Sequence, residues 1–295
     1  MRHAWTLTKL RMRLALRNRA FLFFSLIFPL GFLFLFLGLF TNSDPAAVPY
    51  RLASVLALTV MGSFWGLSVQ LVTFREQGIL RRFRLAPVGA GAMLASSILS
   101  NYILTLPTVL IEFALARTLF QMGGWGNLWG VFVFVTLGIV TFAALGLIVA
   151  SVTNTMQETQ IINQLLWFAF LILSGATVPL PLLPGWLQNV ALFLPATYLV
   201  AGFQRVMLAR ASLFSLGPEL LSLAVSAALA FLVSQQLFRW EPEARVPRRA
   251  KLWAAAALIP FLLLGIWESA NNRLRATALL DYLSIQPPSQ NNEEP

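Results

Sequence analysis

The sequence predicts an all-α integral membrane protein: a bundle of six transmembrane helices, with a seventh after it. Three observations lead there. Of the 295 residues, 58% are apolar and 11% charged, about half the charged share of a soluble domain, and mean hydropathy is +0.75. Uncharged stretches recur that can cross a bilayer core of roughly 30 Å, for which about 20 helical residues suffice. These stretches are apolar throughout rather than alternating, unlike the strands of a membrane barrel. Lipid offers the backbone no hydrogen bonds, so helices remain.

Residues 1–19 hold Arg2, Lys9, Arg11, Arg13, Arg17 and Arg19. Lys9, Arg13 and Arg17 share one helix face, with Leu7, Leu10 and Leu14 on a neighbouring one, as in an amphipathic helix lying on the inner membrane surface. The uncharged run 20–43 is too long for a typical signal-peptide core and no small-residue cleavage site follows, so it is a retained first span. The second span is 52–74, bounded by Arg51 and Arg75. The third begins in the uncharged run 85–111 and ends near Gln121, before a glycine-rich turn at 123–127. The fourth is about 128–150, a polar loop occupies 151–160, and the fifth span is about 161–178. Residues 179–217 stay apolar but are cut by Pro179, Pro181, Pro184 and Pro195. Proline removes a donor and breaks helices, so short re-entrant or interfacial helices fit here. The sixth span is about 220–238.

A basic stretch, 239–251, precedes the last apolar run, 252–267, which contains Pro260 and carries Trp253 and Trp267 near its ends, where interfacial aromatics belong. It is read as a seventh span, with a surface helix as the alternative. The polar tail 268–295 has the composition of a disordered segment. The domain plan is therefore a surface helix at 1–19, a transmembrane domain at 20–240, a linker and extra span at 241–267, and the tail. Segments 1–19, 75–84 and 239–251 hold six, four and five of the 21 Lys and Arg residues. The positive-inside rule puts all three, and the N-terminus, in the cytoplasm of a cell-membrane protein. It also accounts for the net charge of +10 without a nucleic-acid partner.

Several chemistries are excluded. There is no cysteine and one histidine, His3, so thiolate metal sites, cysteine nucleophiles and H-E-x-x-H zinc sites are impossible. The two lysines, Lys9 and Lys251, are each followed by leucine, so no P-loop exists to hold ATP. The chain is not itself an ATPase and carries no cofactor of its own.

In the segment 74–87, Ile79, Leu80 and Phe83 share one helix face with arginines around them. Such a helix either inserts an apolar ridge into a partner's groove or is a basic loop gripping lipid headgroups. Five features here resemble the ABC-2-type permeases. They are Arg17-Asn18-Arg19 followed by the apolar run to Pro29; the segment from Arg75 to Pro87; Ser174-Gly175 and Pro179; Leu183-Pro184-Gly185-Trp186-Leu187; and Leu194-Pro195-Ala196-Thr197-Tyr198 with Arg205. The resemblance covers roughly residues 10–240. It implies six spans per subunit, a dimer with a second permease copy (identical or related), and a separate soluble ATPase, which binds ATP and Mg, docked on the inner surface. It implies a coupling helix formed by Arg75, Glu76, Gln77, Gly78, Ile79, Leu80, Arg81, Arg82 and Phe83. It also implies outer re-entrant helices containing Pro179, Pro184, Gly185, Trp186, Pro195 and Tyr198. Residues 251–295 depart from the six-span pattern.

Other residues carry lesser expectations. Glu112, inside the third span, either lines an export route for a cationic or polar substrate or hydrogen-bonds a neighbouring helix. Glu158 reads as a solvated loop carboxylate or an ATPase contact, and Arg205 and Arg210 as outer-side residues that anchor at headgroups or bridge within the re-entrant region. The function expected is export of an amphipathic, drug- or lipid-like substrate by alternating access. An ion-coupled carrier would need several intramembrane ionisable groups, where only Glu112 qualifies; a non-transporting scaffold is the third reading.

Overall fold

The computed structural model describes residues 8, 12–13, 23–40, 45, 47–84, 89–208, 212–240 and 257–285. Most of the predicted surface helix at 1–19, Arg210 and the basic stretch beyond 240 lie outside these residues. A π-helical turn, Phe23–Ile27, leads into α1 (Phe28–Phe40). Then come α2 (Val48–Glu76), α3 (Ile79–Arg84), α4 (Ala90–Thr118), α5 (Leu128–Val152), α6 (Met156–Leu173), α7 (Gly185–Ala191), α8 (Pro195–Leu208), α9 (Gly217–Gln236), α10 (Ile259–Asn271) and α11 (Arg273–Leu283). Among the described residues, four helices are long and apolar enough to cross a membrane: α2, α4, α5 and α9 with its 3₁₀ lead-in. A fifth is added if α7 and α8, bent by 94° to each other, count as one.

The core is built on α2, which is buried along most of its length and packs most extensively against α5. Gly146 of α5 permits that approach: a Cβ there would lie 2.2 Å from the Phe64 carbonyl oxygen. Small residues that let backbones meet are what bind helices where lipid removes the hydrophobic drive.

Two helices divide the length of α2 between them. From its Glu76 end, α2 is lined by α6: the Met156 amide donates to Glu76 at 2.7 Å, Asn163 to Ser68 at 2.6 Å, and Phe170 packs edge-on against Phe64 at 5.8 Å. Towards the Tyr50 end, α8 takes over, with Leu199 beside Val60 and Gln204 3.5 Å from Ser54. The chain changes course between them at Gly175, whose φ of +88° favours glycine. Prolines then mark the start of each short helix. Pro179 precedes the 3₁₀ turn Leu180–Leu182, Pro184 precedes α7, and Pro195 opens α8, where its missing N–H costs nothing.

The sequence-derived boundaries need four corrections. The polar loop expected at 151–160 shrinks to 153–155, because α5 runs to Val152 and α6 starts at Met156. Thr155 caps α6, accepting from the Glu158 amide at 3.2 Å, so the polar residues open a helix. The fifth span is correspondingly displaced, and α6 is not apolar enough to count among the candidate spans. Of the seventh span expected at 252–267, residues 257–267 are described, and the helix they carry, α10, starts only at Ile259 and runs on to Asn271. The tail is not disordered over its described part, since α11 occupies Arg273–Leu283. Arg239 bonds at the Glu76 end, whereas α10 and α11 pack at the Tyr50 end: Phe261 stacks on Tyr198 at 6.2 Å and Gly265 abuts Phe193.

Candidate functional site

The Glu76 end concentrates the predicted coupling residues. α2 stops because Gly78 takes φ of +67°; Gln77 and Gly78 amides bond the Thr73 and Arg75 carbonyls, each at 3.0 Å, a glycine-ended helix stop. α3 then leaves in a new direction. Leu80 is fully buried and anchors α3 to the bundle, while Arg81 is exposed. Ile79 is half-buried. Arg82 and Phe83 belong to α3, but their side chains lie outside the described set. The apolar ridge expected to face a partner is therefore corrected at Leu80, which faces inward.

Arg75 also points inward. It is 2% exposed, and it donates to the Ala150 carbonyl at 2.8 Å and the Thr153 carbonyl at 2.7 Å. These are carbonyls that the end of α5 leaves without helical partners, at the negative pole of its dipole. Arg239 donates to the same Thr153 oxygen at 2.5 Å and to Asn154 Oδ1 at 3.1 Å. Burial lowers the Arg239 guanidinium from its usual value, opposed by the Glu158 carboxylate. Glu76 accepts from the first amide of α6, and Glu158 accepts from the amide of Asn154, the residue before the Thr155 cap, at 2.8 Å. Glu158 thus braces the turn before α6. The arrangement ties the ends of α2, α5, α6 and α9 into one knot, from which α3 projects. Arg239 was missed from sequence because an arginine closing an apolar run carries no signal of where it bonds.

The other predicted residues lie elsewhere. Trp186 is 67% exposed on α7. The Pro184 carbonyl accepts from Leu187 and Gln188, with Gly185 opening α7. Tyr198 is buried and its hydroxyl donates to Leu192 O at 2.5 Å. Glu112 is fully buried and accepts from Thr59 Oγ1 at 2.5 Å. Arg205 joins an ionic quartet. Arg273 contacts Glu268 at 2.5 Å and Glu219 at 2.7 Å, and Arg205 lies 3.7 Å from Glu219. Both glutamates are almost fully buried, as charges are only when paired. Glu268 also accepts from the Leu274 amide at 2.9 Å, at the N-terminus of α11.

Comparison with known proteins gives the constellation a setting. The profile of the ABC-2 type transporter family matches residues 2–208. A linearmycin resistance permease protein of Bacillus subtilis is 27% identical over 56% of this chain, a match that spans 42% of that relative. A putative transport permease of the same organism is 24% identical over 65% of this chain and 80% of its own length. A daunorubicin resistance ABC transporter permease protein of Streptomyces coeruleorubidus is 29% identical over 69% of this chain and 72% of its own. With the matched span covering α3, most of the knot and the proline-broken segment, the chain belongs to the ABC-2 type transporter family of membrane permeases.

Proposed function

We propose that the chain is the permease subunit of an ATP-driven exporter, with the Glu76 end in the cytoplasm and α3 as the element a separate ATPase grips. The observation that carries this is the mechanical linkage of α3. It starts one glycine turn beyond Arg75 and is pinned by Leu80, and Arg75 is bonded to the end of α5. A displacement of α3 therefore acts on α2 and α5, the two helices at the centre of the bundle. ATP biases the permease only if the ATPase holds α3 differently in its two nucleotide states. In this reading the cargo is amphipathic, a second permease copy completes the path, and α7 and α8 form the outer re-entrant pair. The positions of Arg239 at the Glu76 end and of α10 and α11 at the Tyr50 end support a seventh crossing, which leaves α11 outside the cell. Resistance to linearmycin and daunorubicin is named for two relatives and supports a drug-like cargo.

The test is affinity purification from native membranes in mild detergent. A stoichiometric P-loop subunit should accompany the protein, and Arg81→Glu should reduce its yield severalfold without altering the permease's elution volume. Recovery of the permease alone, under conditions that retain a known ABC complex, would contradict the proposal and favour an ion-coupled carrier.

A further inference from the structure

The face where α2 meets α4 is polar although both helices read as membrane spans. Thr59, Ser63 and Gly66 succeed one another at helical spacing on α2, and Asn101, Thr108 and Glu112 do so on α4. The two rows meet. Thr59 Oγ1 lies 2.5 Å from Glu112 Oε1, and the Asn101 side chain lies over Gly66, 3.8 Å from where a Cβ would stand. From Asn101 to Glu112 the seam rises about 16 Å, half of a bilayer core.

Three buried atoms on this seam have no hydrogen-bond partner among the described residues: Glu112 Oε2, Ser63 Oγ and Asn101 Nδ2. Polar groups in a membrane interior are retained for a purpose, because leaving them unpaired there is expensive. Glu112 is the most demanding. One carboxylate oxygen accepts a hydroxyl, and the other is left with an acceptor capacity that only a donor or a cation fills. Arg117, the nearest arginine along α4, is engaged elsewhere, with the Met122 carbonyl and over the Trp125 ring at 5.5 Å. α4 is also the least buried of the four long helices, and its Pro107 withholds the hydrogen bond due to the Ile103 carbonyl. It is the helix whose separation from α2 would uncover the seam.

We propose that the seam between α2 and α4 is a binding surface for the cationic head of an amphiphile, with Glu112 as the counter-charge and Ser63 and Asn101 as polar contacts. The ligand is a lipophilic cation: its charge meets Glu112, and its apolar body lies among the surrounding side chains. This rests on the export reading for its physiological meaning, and the binding itself does not.

The test uses the full-length protein in nonionic detergent and two fluorescent probes, the lipophilic cation rhodamine 6G and an uncharged dipyrromethene dye of similar size, with anisotropy as the readout. The wild type should bind the cation at least tenfold more tightly than the neutral dye. Glu112→Gln should remove that preference, Glu112→Asp should keep most of it, and Asn101→Leu should weaken cation binding about threefold. Equal affinity for both dyes in the wild type, or a preference unchanged in Glu112→Gln, would overturn the proposal. If Glu112→Gln does not fold, an unchanged preference in Asn101→Leu and Ser63→Ala together would overturn it. Loss of ATPase association with cation preference intact would refute the export reading alone.

Discussion

Replacing Arg75 by methionine separates a folded knot from a generic basic loop. Methionine keeps much of the side chain's apolar stem and deletes the guanidinium, with its bonds to Ala150 O at 2.8 Å and Thr153 O at 2.7 Å. A hydrogen bond to a charged group contributes about 1.5–3 kcal/mol. Arg239 still serves the Thr153 oxygen at 2.5 Å, so the Ala150 carbonyl loses its side-chain donor, as does the Asn154 carbonyl, which Arg75 reaches only at 3.5 Å. The Ala150 bond sets the expected loss, about 2–3 kcal/mol. The exposed Arg81→Met should change stability by less than about 0.5 kcal/mol. Thermal unfolding of both variants in the same detergent, monitored by tryptophan fluorescence, makes the comparison. Arg75→Lys should recover only part of the loss, because an ammonium lacks the fork that spans two carbonyls. An Arg75→Met protein as stable as Arg81→Met would refute the claim that the guanidinium holds α2 to α5.

The same geometry gives three more expected outcomes. Leu80→Ala should cost about 2–5 kcal/mol, as for a buried leucine, and loosen α3; a purely partner-facing leucine would leave the melting temperature unchanged. Gly146→Val should depress the folded yield sharply, since even a Cβ would sit 2.2 Å from Phe64 O; normal yield and melting would disprove the close approach. Glu268→Gln weakens the Arg273 contacts at 2.5 and 3.0 Å and the tie to Leu274 N. It should cost about 3 kcal/mol and expose α11 to trypsin after Arg273 and Arg275. If intact cells of this variant show no cleavage while permeabilised ones do, α11 lies inside and the seven-crossing topology is wrong.

The spans were legible because lipid imposes a composition that water does not: the runs around 52–74 and 128–150 could be read directly, and α2 and α5 are there. The proline-cut region was legible for a local reason, because Pro184 and Pro195 favour helix starts over helix interiors. Where sequence reasoning strayed, long-range partners decided. Residues 156–160 look like a loop by polarity, yet Thr155 caps the Glu158 amide, Glu158 holds the Asn154 amide and Glu76 holds the first amide of the helix, so they fold as the first turn of α6. The tail looks disordered by composition, yet Arg273 pairs with Glu268 beside it and with Glu219 some fifty residues earlier. In the segment 75–83 the residue types were legible and their directions were not. Arginine and leucine suggested an outward basic ridge, while Arg75 and Leu80 both turn in, drawn by the end of α5 and by the core.

An ATPase that grips α3 can be trapped there by cross-linking. Because the chain contains no cysteine, a single Arg81→Cys substitution places a unique photo-crosslinker on that helix, with Phe214→Cys, 96% exposed at the opposite end, as the control. In native membranes the account predicts that Arg81→Cys cross-links to a P-loop subunit in a yield that changes on addition of ATP, and that Phe214→Cys does not. A P-loop cross-link from Phe214→Cys, or none from Arg81→Cys in membranes that retain active export, would contradict it.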